Sequence, residues 1–351
     1  MKRNLFSNVI VFLFIASIML SACRQNARPS EGGNTQPSAV APEQTSAPEA
    51  GTNQSLKFQP GRNDYITTVD DTPREFIVHV PSGYDSATPT PVVFMFHGTN
   101  QTGELMYAIT SWPEKADEVN AIVVFPTSWR YVLAPENEEV AKWNETTLQF
   151  LAGPDAELKD DIKFTRQVLD LLRATFNVDE KRIFATGFSN GGSFVSTRLL
   201  FAMTDTFAAF SFCGSGARLA EPNFASNMPP KVSTSVYSIV GTEDEVLSAG
   251  QGITLPFPFE ADAIMGHELF GPMLVNTAAY LNLDPVKYEV SHPQPEYTVF
   301  VFNQSLTGSD NEYIFQMVKD MIHVYPNGKY IPYSLDAVDM FWEFFMRHPM
   351  K

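Results

Sequence analysis

Residues Arg182–Gly192 read RIFATGFSNGG, and the rest of the fold can be worked out from them. Ile183, Phe184 and Ala185 lead through Thr186 into Gly187-Phe188-Ser189-Asn190-Gly191, which sets one hydroxyl between two residues that lack side chains. After it comes Ser193–Met203, SFVSTRLLFAM, which suits a helix. An apolar strand entering Gly-x-Ser-x-Gly and leaving into a helix describes a sharp, strained turn. The serine projects its Oγ outward there, and glycines two residues to either side avoid collision with neighbouring backbone. The stretch therefore predicts a strand, a tight turn and a helix, with Ser189 displayed as a nucleophile.

Similar strand-like runs lie on both sides: REFIVHV (Arg74–Val80), PVVFMFHG (Pro91–Gly98), AIVVFP (Ala121–Pro126), FAAFSFCG (Phe207–Gly214) and STSVYSIVG (Ser233–Gly241). Several are apolar on both faces, as parallel strands covered by helices are. Between them, Phe164, Val168, Leu171 and Leu172 recur at helical spacing over Asp161–Phe176, behind Asp160 or Asp161 as N-cap. AVDMFWEFFM (Ala337–Met346) reads as a closing helix. No repeat and no second linker interrupts residues 56–351, so the expectation is one α/β domain with a mostly parallel central sheet and helices on both faces.

A serine hydroxyl needs a base to take its proton and an acid to orient that base. After this type of turn the acid precedes the histidine in the chain. Asp244 lies in GTEDEV, directly after a strand-like run at the edge where such sheets carry their chemistry, with Glu243 and Glu245 as rivals. His323 follows IFQMVKDMI and opens the loop HVYPNG. His79 and His97 precede the serine and break the order; His267 and His292 read as surface or internally bonded residues, and His348, near the end, as exposed. The developing oxyanion needs backbone donors: Asn190 supplies one, and the loop His97–Gly103 the other, through Thr99.

Composition bounds the rest. With 44% hydrophobic and 18% charged residues, the 351-residue chain can bury a large core. A net charge of −16 repels phosphate backbones, which excludes nucleic acid as a partner. Two distant cysteines form no disulfide framework, and no His or Cys spacing suggests a metal, so neither metal nor cofactor is expected. At the head, Lys2 and Arg3 precede an apolar run, Leu5–Leu20, too short for a usual span and suited to an export signal. It ends in Leu20-Ser21-Ala22-Cys23, which resembles a bacterial lipobox. The organisation expected is a signal peptide (residues 1–22), a Pro/Ser/Ala-rich tether (23–55) lipidated at Cys23, and the α/β domain. That places the protein in the bacterial envelope, anchored to membrane; ordinary cleavage would release it instead.

Together HVPSGYD (79–85), VFMFHGTNQTG (93–103), KWN (142–144), the run from 160 to 192, GTEDEV (241–246), HVYP (323–326) and FWEFFMRHP (341–349) resemble the polyhydroxybutyrate depolymerase and feruloyl esterase group of α/β-hydrolases, akin to carbohydrate esterase family 1. That group includes lipoproteins. The resemblance implies a serine carboxylic-ester hydrolase with Ser189, Asp244 and His323 as triad and Thr99 and Asn190 as oxyanion donors. It implies small or oligomeric ester substrates, including phenolic and acetyl esters of plant polysaccharide. A serine peptidase on the same fold and a non-catalytic tethered binding protein are the alternatives. Two positions depart from the group: Thr99 stands where a cysteine is common, and Ile322 where a glycine is. Residues 247–311 match poorly and are expected to shape a substrate cleft. Trp129, Trp143 and Phe188 read either as cleft rings or as core.

Overall fold

Strands apolar on both faces have to be covered on both faces. The computed structural model, which describes residues 55–134, 138–220, 232–328 and 335–351, shows how. The export segment, Cys23 and the tether up to residue 54 lie outside the described residues. In chain order the strands are β1 (Gly61–Val69), β2 (Thr72–Val80), β3 (Thr90–Phe96), β4 (Ile122–Pro126), β5 (Arg130–Leu133), β6 (Glu138–Ala141), β7 (Val178–Phe188), β8 (Ala209–Cys213), β9 (Ser235–Glu243), β10 (Glu289–Ser291), β11 (Tyr297–Phe302) and β12 (Tyr313–Ile322). Ten form one sheet in the order β1-β2-β4-β3-β7-β8-β9-β12-β11-β10, while β5 and β6 pair antiparallel in a separate two-stranded sheet. The six strands from β4 to β12 in that order are mutually parallel. Antiparallel strands flank them on both sides.

Side chains alternate between two cores, as the pleat requires. In β3, Val92, Phe94 and Phe96 face one core with Phe164, Val168 and Leu172 of the helix Asp161–Thr175. Val93 and Met95 face the other, with Trp112 and with Phe341, Phe344 and Phe345 of the helix Ala337–Arg347. Each such fully buried side chain contributes roughly 1.5–3 kcal/mol of transfer free energy. Asp160 is the N-cap of the first of these helices, accepting from the Lys163 N–H at 2.9 Å. Asp161, the other cap candidate, is buried instead and pairs with Arg74 at 2.6 Å.

The structure departs from the sequence reading in its outer parts. β1 lies at the sheet edge and from Asp64 onward alternates exposed and covered residues, with Ile66 turned to solvent. Residues 247–311, expected to shape a cleft, build part of the fold itself: β11 extends the sheet, and Phe270, Met273 and Leu274 of the helix Phe270–Tyr280 belong to the core. The helix after the serine begins at Asn190 and passes through a π-helical turn, Val195–Leu199.

Candidate active site

β7 delivers Ser189 at the central strand's C-terminal end. Ser189 has φ 53° and ψ −119°, a strained conformation for a residue with a Cβ. It is held by neighbours: the Ser189 N–H donates to the Cys213 carbonyl at the end of β8 (2.9 Å), and the Ser189 carbonyl accepts from Ser193 N–H as the helix starts (2.8 Å). The two glycines are required by space. A Cβ at Gly187 would lie 2.5 Å from the Gly191 carbonyl carbon, and one at Gly191 would lie 2.2 Å from the Phe96 carbonyl oxygen.

Three residues from the ends of three strands meet here. His323 Nε2 lies 2.9 Å from Ser189 Oγ, and His323 Nδ1 lies 2.9 Å from each oxygen of Asp244. A carboxylate only accepts, so the ring proton sits on Nδ1 and the lone pair on Nε2 faces the serine hydroxyl. Asp244 is buried and also caps the helix Glu245–Gln251, its Oδ1 accepting the Leu247 N–H at 2.8 Å. The Phe188 ring lies 5.0 Å from the imidazole, centroid to centroid, and restricts its tilt.

The rivals are occupied elsewhere. Glu245 does not meet the imidazole; its Oε2 accepts the backbone N–H of His323 at 3.1 Å. His348, expected to be exposed, is mostly buried because it pairs with Glu312 at 2.7 Å and packs on Phe344. His267 Nδ1 accepts the Leu269 N–H at 3.2 Å. His97 is fully buried: its Nδ1–H donates to the Gly98 carbonyl (2.7 Å) and its Nε2 accepts the Ser128 N–H (2.9 Å). Burial lowers its pKa from 6.5 to about 4, so it is neutral around pH 7.

Beside Ser189 runs the loop after β3. The Gly98 N–H donates to Gln101 Oε1 (2.8 Å), the Asn100 N–H to the Ala141 carbonyl (2.7 Å) and the Gln101 N–H to the Gly98 carbonyl (3.2 Å). The Thr99 N–H has no acceptor among the described residues. The loop lies close to the nucleophile: a Cβ on Gly98 would stand 3.2 Å from the Ser189 Cβ. Asn190, the first residue of the helix, is fixed through its Oδ1, which accepts the Trp143 N–H at 2.8 Å.

Trp143 is thus no cleft ring. It is fully buried, stacked on Phe194, and its Nε1–H donates to the His97 carbonyl at 2.9 Å, tying the loop to the elbow. Phe188 is buried as well, whereas Trp129 is half-buried with the Lys159 ammonium 5.7 Å from its ring. Sequence reasoning missed the parts played by Gln101, Trp143 and Glu245. They act on backbone groups, and no residue pattern marks such contacts.

A parallel sheet of this order with a serine at a strained strand-to-helix turn defines an α/β-hydrolase. Residues 80–256, half of the chain, match the phospholipase/carboxylesterase family model, and the protein belongs to that family. Among similar proteins, the bifunctional acetylxylan esterase/xylanase XynS20E of Neocallimastix patriciarum is 24% identical over 174 residues, 50% of this chain and 22% of that protein. Feruloyl esterase B of Piromyces equi is 26% identical over 119 residues, 34% of this chain and 20% of that protein. The matches therefore span about a fifth of the length of these relatives. An acetyl xylan esterase from Aspergillus awamori has the same fold, with a TM-score of 0.51 at 15% identity, over 81% of this chain and 99% of that one. Native sOPH does so with a TM-score of 0.53 at 16% identity, over 84% of this chain and 89% of that one.

Proposed function

We propose that the protein is a serine carboxylic-ester hydrolase of the polyhydroxybutyrate depolymerase and feruloyl esterase type. The observation that carries the reading is the unbroken hydrogen-bond line from Ser189 Oγ through both ring nitrogens of His323 to Asp244. Ser189 Oγ attacks the ester carbonyl carbon as its proton passes to His323 Nε2, and Asp244 stabilises the imidazolium through Nδ1–H. The carbonyl oxygen becomes an oxyanion held by the N–H groups of Thr99 and Asn190. The C–O bond to the alcohol then breaks, the alcohol oxygen takes the proton from His323, and water clears the acyl-enzyme by the same route.

Ser189→Ala is expected to lower kcat on p-nitrophenyl acetate by roughly four to six orders of magnitude. Wild-type turnover by that variant, or failure of a fluorophosphonate probe to label Ser189, would falsify the reading. The names of the two similar esterases support acetylxylan and feruloyl esters as the substrate class. A panel of acetylxylan, feruloyl and hydroxybutyrate-oligomer esters tests this; preference for the last selects the depolymerase type. The protein acts at a bacterial membrane surface, exported and lipid-anchored through Cys23, and a mature mass without added lipid removes that anchor.

A further inference from the structure

The loop Gly98–Gln101 carries the donor that the esterase reading needs, and the inference below deepens that reading. A trans peptide is planar, so its C=O and N–H point in opposite directions, and holding one fixes the other. Two peptide planes matter. In the His97–Gly98 plane, the carbonyl accepts the Trp143 Nε1–H (2.9 Å) and the N–H donates to Gln101 Oε1 (2.8 Å). In the Gly98–Thr99 plane, the carbonyl accepts both the His97 Nδ1–H (2.7 Å) and the Gln101 N–H (3.2 Å). The other end of that plane is the Thr99 N–H, the one amide of Gly98 to Gln101 without an acceptor among the described residues.

Gln101 thus grips both planes, one through its side chain and one through its backbone. Asn100 between them sits at φ 56°, a left-handed position that closes the loop. Without the Gln101 carbonyl, the Gly98 N–H would be an unpaired donor close to Ser189. It could turn towards the substrate oxygen or towards water, and the Thr99 N–H would turn with the loop. We propose that Gln101 is a positioning residue for the oxyanion site: its side-chain oxygen sequesters the Gly98 amide and so presents the Thr99 amide to the substrate's carbonyl oxygen. It touches no substrate atom and acts only through the direction of a backbone N–H.

Such a residue is needed more in the transition state than in the ground state, so kcat should fall while KM holds. Gln101→Met, which keeps length and removes the acceptor, is expected to lower kcat on p-nitrophenyl acetate by about 10- to 100-fold, short of the roughly 100- to 1,000-fold seen when an oxyanion donor itself is lost. KM is expected to stay within about threefold, and affinity for a boronic acid that mimics the tetrahedral adduct to fall with kcat. A kcat within threefold of wild type, or a loss carried by KM alone, overturns the proposal. Hydrogen exchange on the wild-type protein gives an answer that no variant's folding can obscure. The Gly98 amide should exchange slowly and the Thr99 amide freely, until the boronic acid protects it; a freely exchanging Gly98 amide overturns the proposal. Ser189→Ala run alongside separates the two failures. If it keeps activity the esterase reading falls, whereas if it is inactive and Gln101→Met is not impaired, only the role of Gln101 falls.

Discussion

His97 illustrates how one residue couples the loop beside Ser189 to pH. Its ring is fully buried, with Nδ1–H spent on Gly98 and Nε2 on Ser128, so a second proton on the ring would break the Ser128 bond and leave a charge in the core. The folded pKa is lowered to about 4 from 6.5, chiefly by burial. Between these values the unfolded chain binds the proton and the folded chain does not, so acidification favours unfolding. The stability this ring contributes is therefore complete above pH 6.5, is lost as pH falls towards 4, and changes no further below that. The full effect is about 3 kcal/mol. His97→Gln, which cannot titrate, is expected to lose less stability than wild type between pH 7 and 4.5 by about 2 kcal/mol, most of the full effect. Urea unfolding of both proteins at several pH values checks this, and parallel stability–pH curves would rule it out.

At the scale of elements, an irregular strand places the base, His323 being the first residue after β12. β12 runs beside β9 with Val318 opposite Gly241, then loses register, so that Ile322 stands opposite Glu243. Four steps along β12 are matched by two along β9, and the excess buckles out of the sheet. Asp320 takes φ 59° at the buckle, where its N–H donates to Thr242 Oγ1 at 2.8 Å. His323 follows at once, its own N–H held by Glu245. The helix Glu245–Gln251 therefore serves the base twice, through the cap Asp244 on the ring and through Glu245 on the backbone. Because Glu245 is exposed, the expected loss is modest: Glu245→Ala lowers kcat by roughly 3- to 10-fold, in keeping with one hydrogen bond of about 1 kcal/mol. Glu245→Gln, which keeps an acceptor, stays near wild type; equal loss in both variants would mean that charge, not the bond, matters. This buckle is also where reading the sequence reached its limit. β3, β4, β7, β8 and β9 were legible because burial on two faces leaves continuous apolar runs, and the elbow because its glycines are dictated by space. Ser189, Asp244 and His323 could be named from chain order together with their places after strand-like runs, and the structure brings them together. β1 was not legible, since GRNDYITTV at an edge needs only one covered face. The register loss in β12 was not either, because it depends on pairing with a strand far away in the chain.

Across the whole molecule, the elbow is tied to the sheet's outer region by buried polar groups. Arg74 on β2 pairs with Asp161 at the start of the helix Asp161–Thr175, both side chains being at most 1% exposed. The guanidinium also lies 4.1 Å from the centre of the Phe164 ring. Asp161 Oδ2 accepts the Asn144 N–H (2.7 Å), and the next residue back, Trp143, donates its N–H to Asn190 beside the nucleophile. A covering helix, the segment over the elbow and the elbow itself thus share one chain of contacts. Burial raises the Asp161 pKa, a push that Arg74 and the Asn144 N–H oppose. Removing Arg74 leaves the Asn144 N–H to oppose the push without a neutralising charge, and a carboxylate stranded in a core without its ion-pair partner costs about 3–5 kcal/mol. Arg74→Met is expected to lose that much stability at pH 8 and less at pH 5. With its folded pKa raised, Asp161 takes up a proton on acidification more readily in the folded than in the unfolded chain, so the penalty shrinks as pH falls. Arg74→Met/Asp161→Asn, with neither charge, is expected to recover part of the loss at pH 8. Urea unfolding of the three proteins at both pH values decides the matter. A single variant as stable as wild type, or a double variant no better than the single at pH 8, would show that the pair does not bind the helix to the sheet.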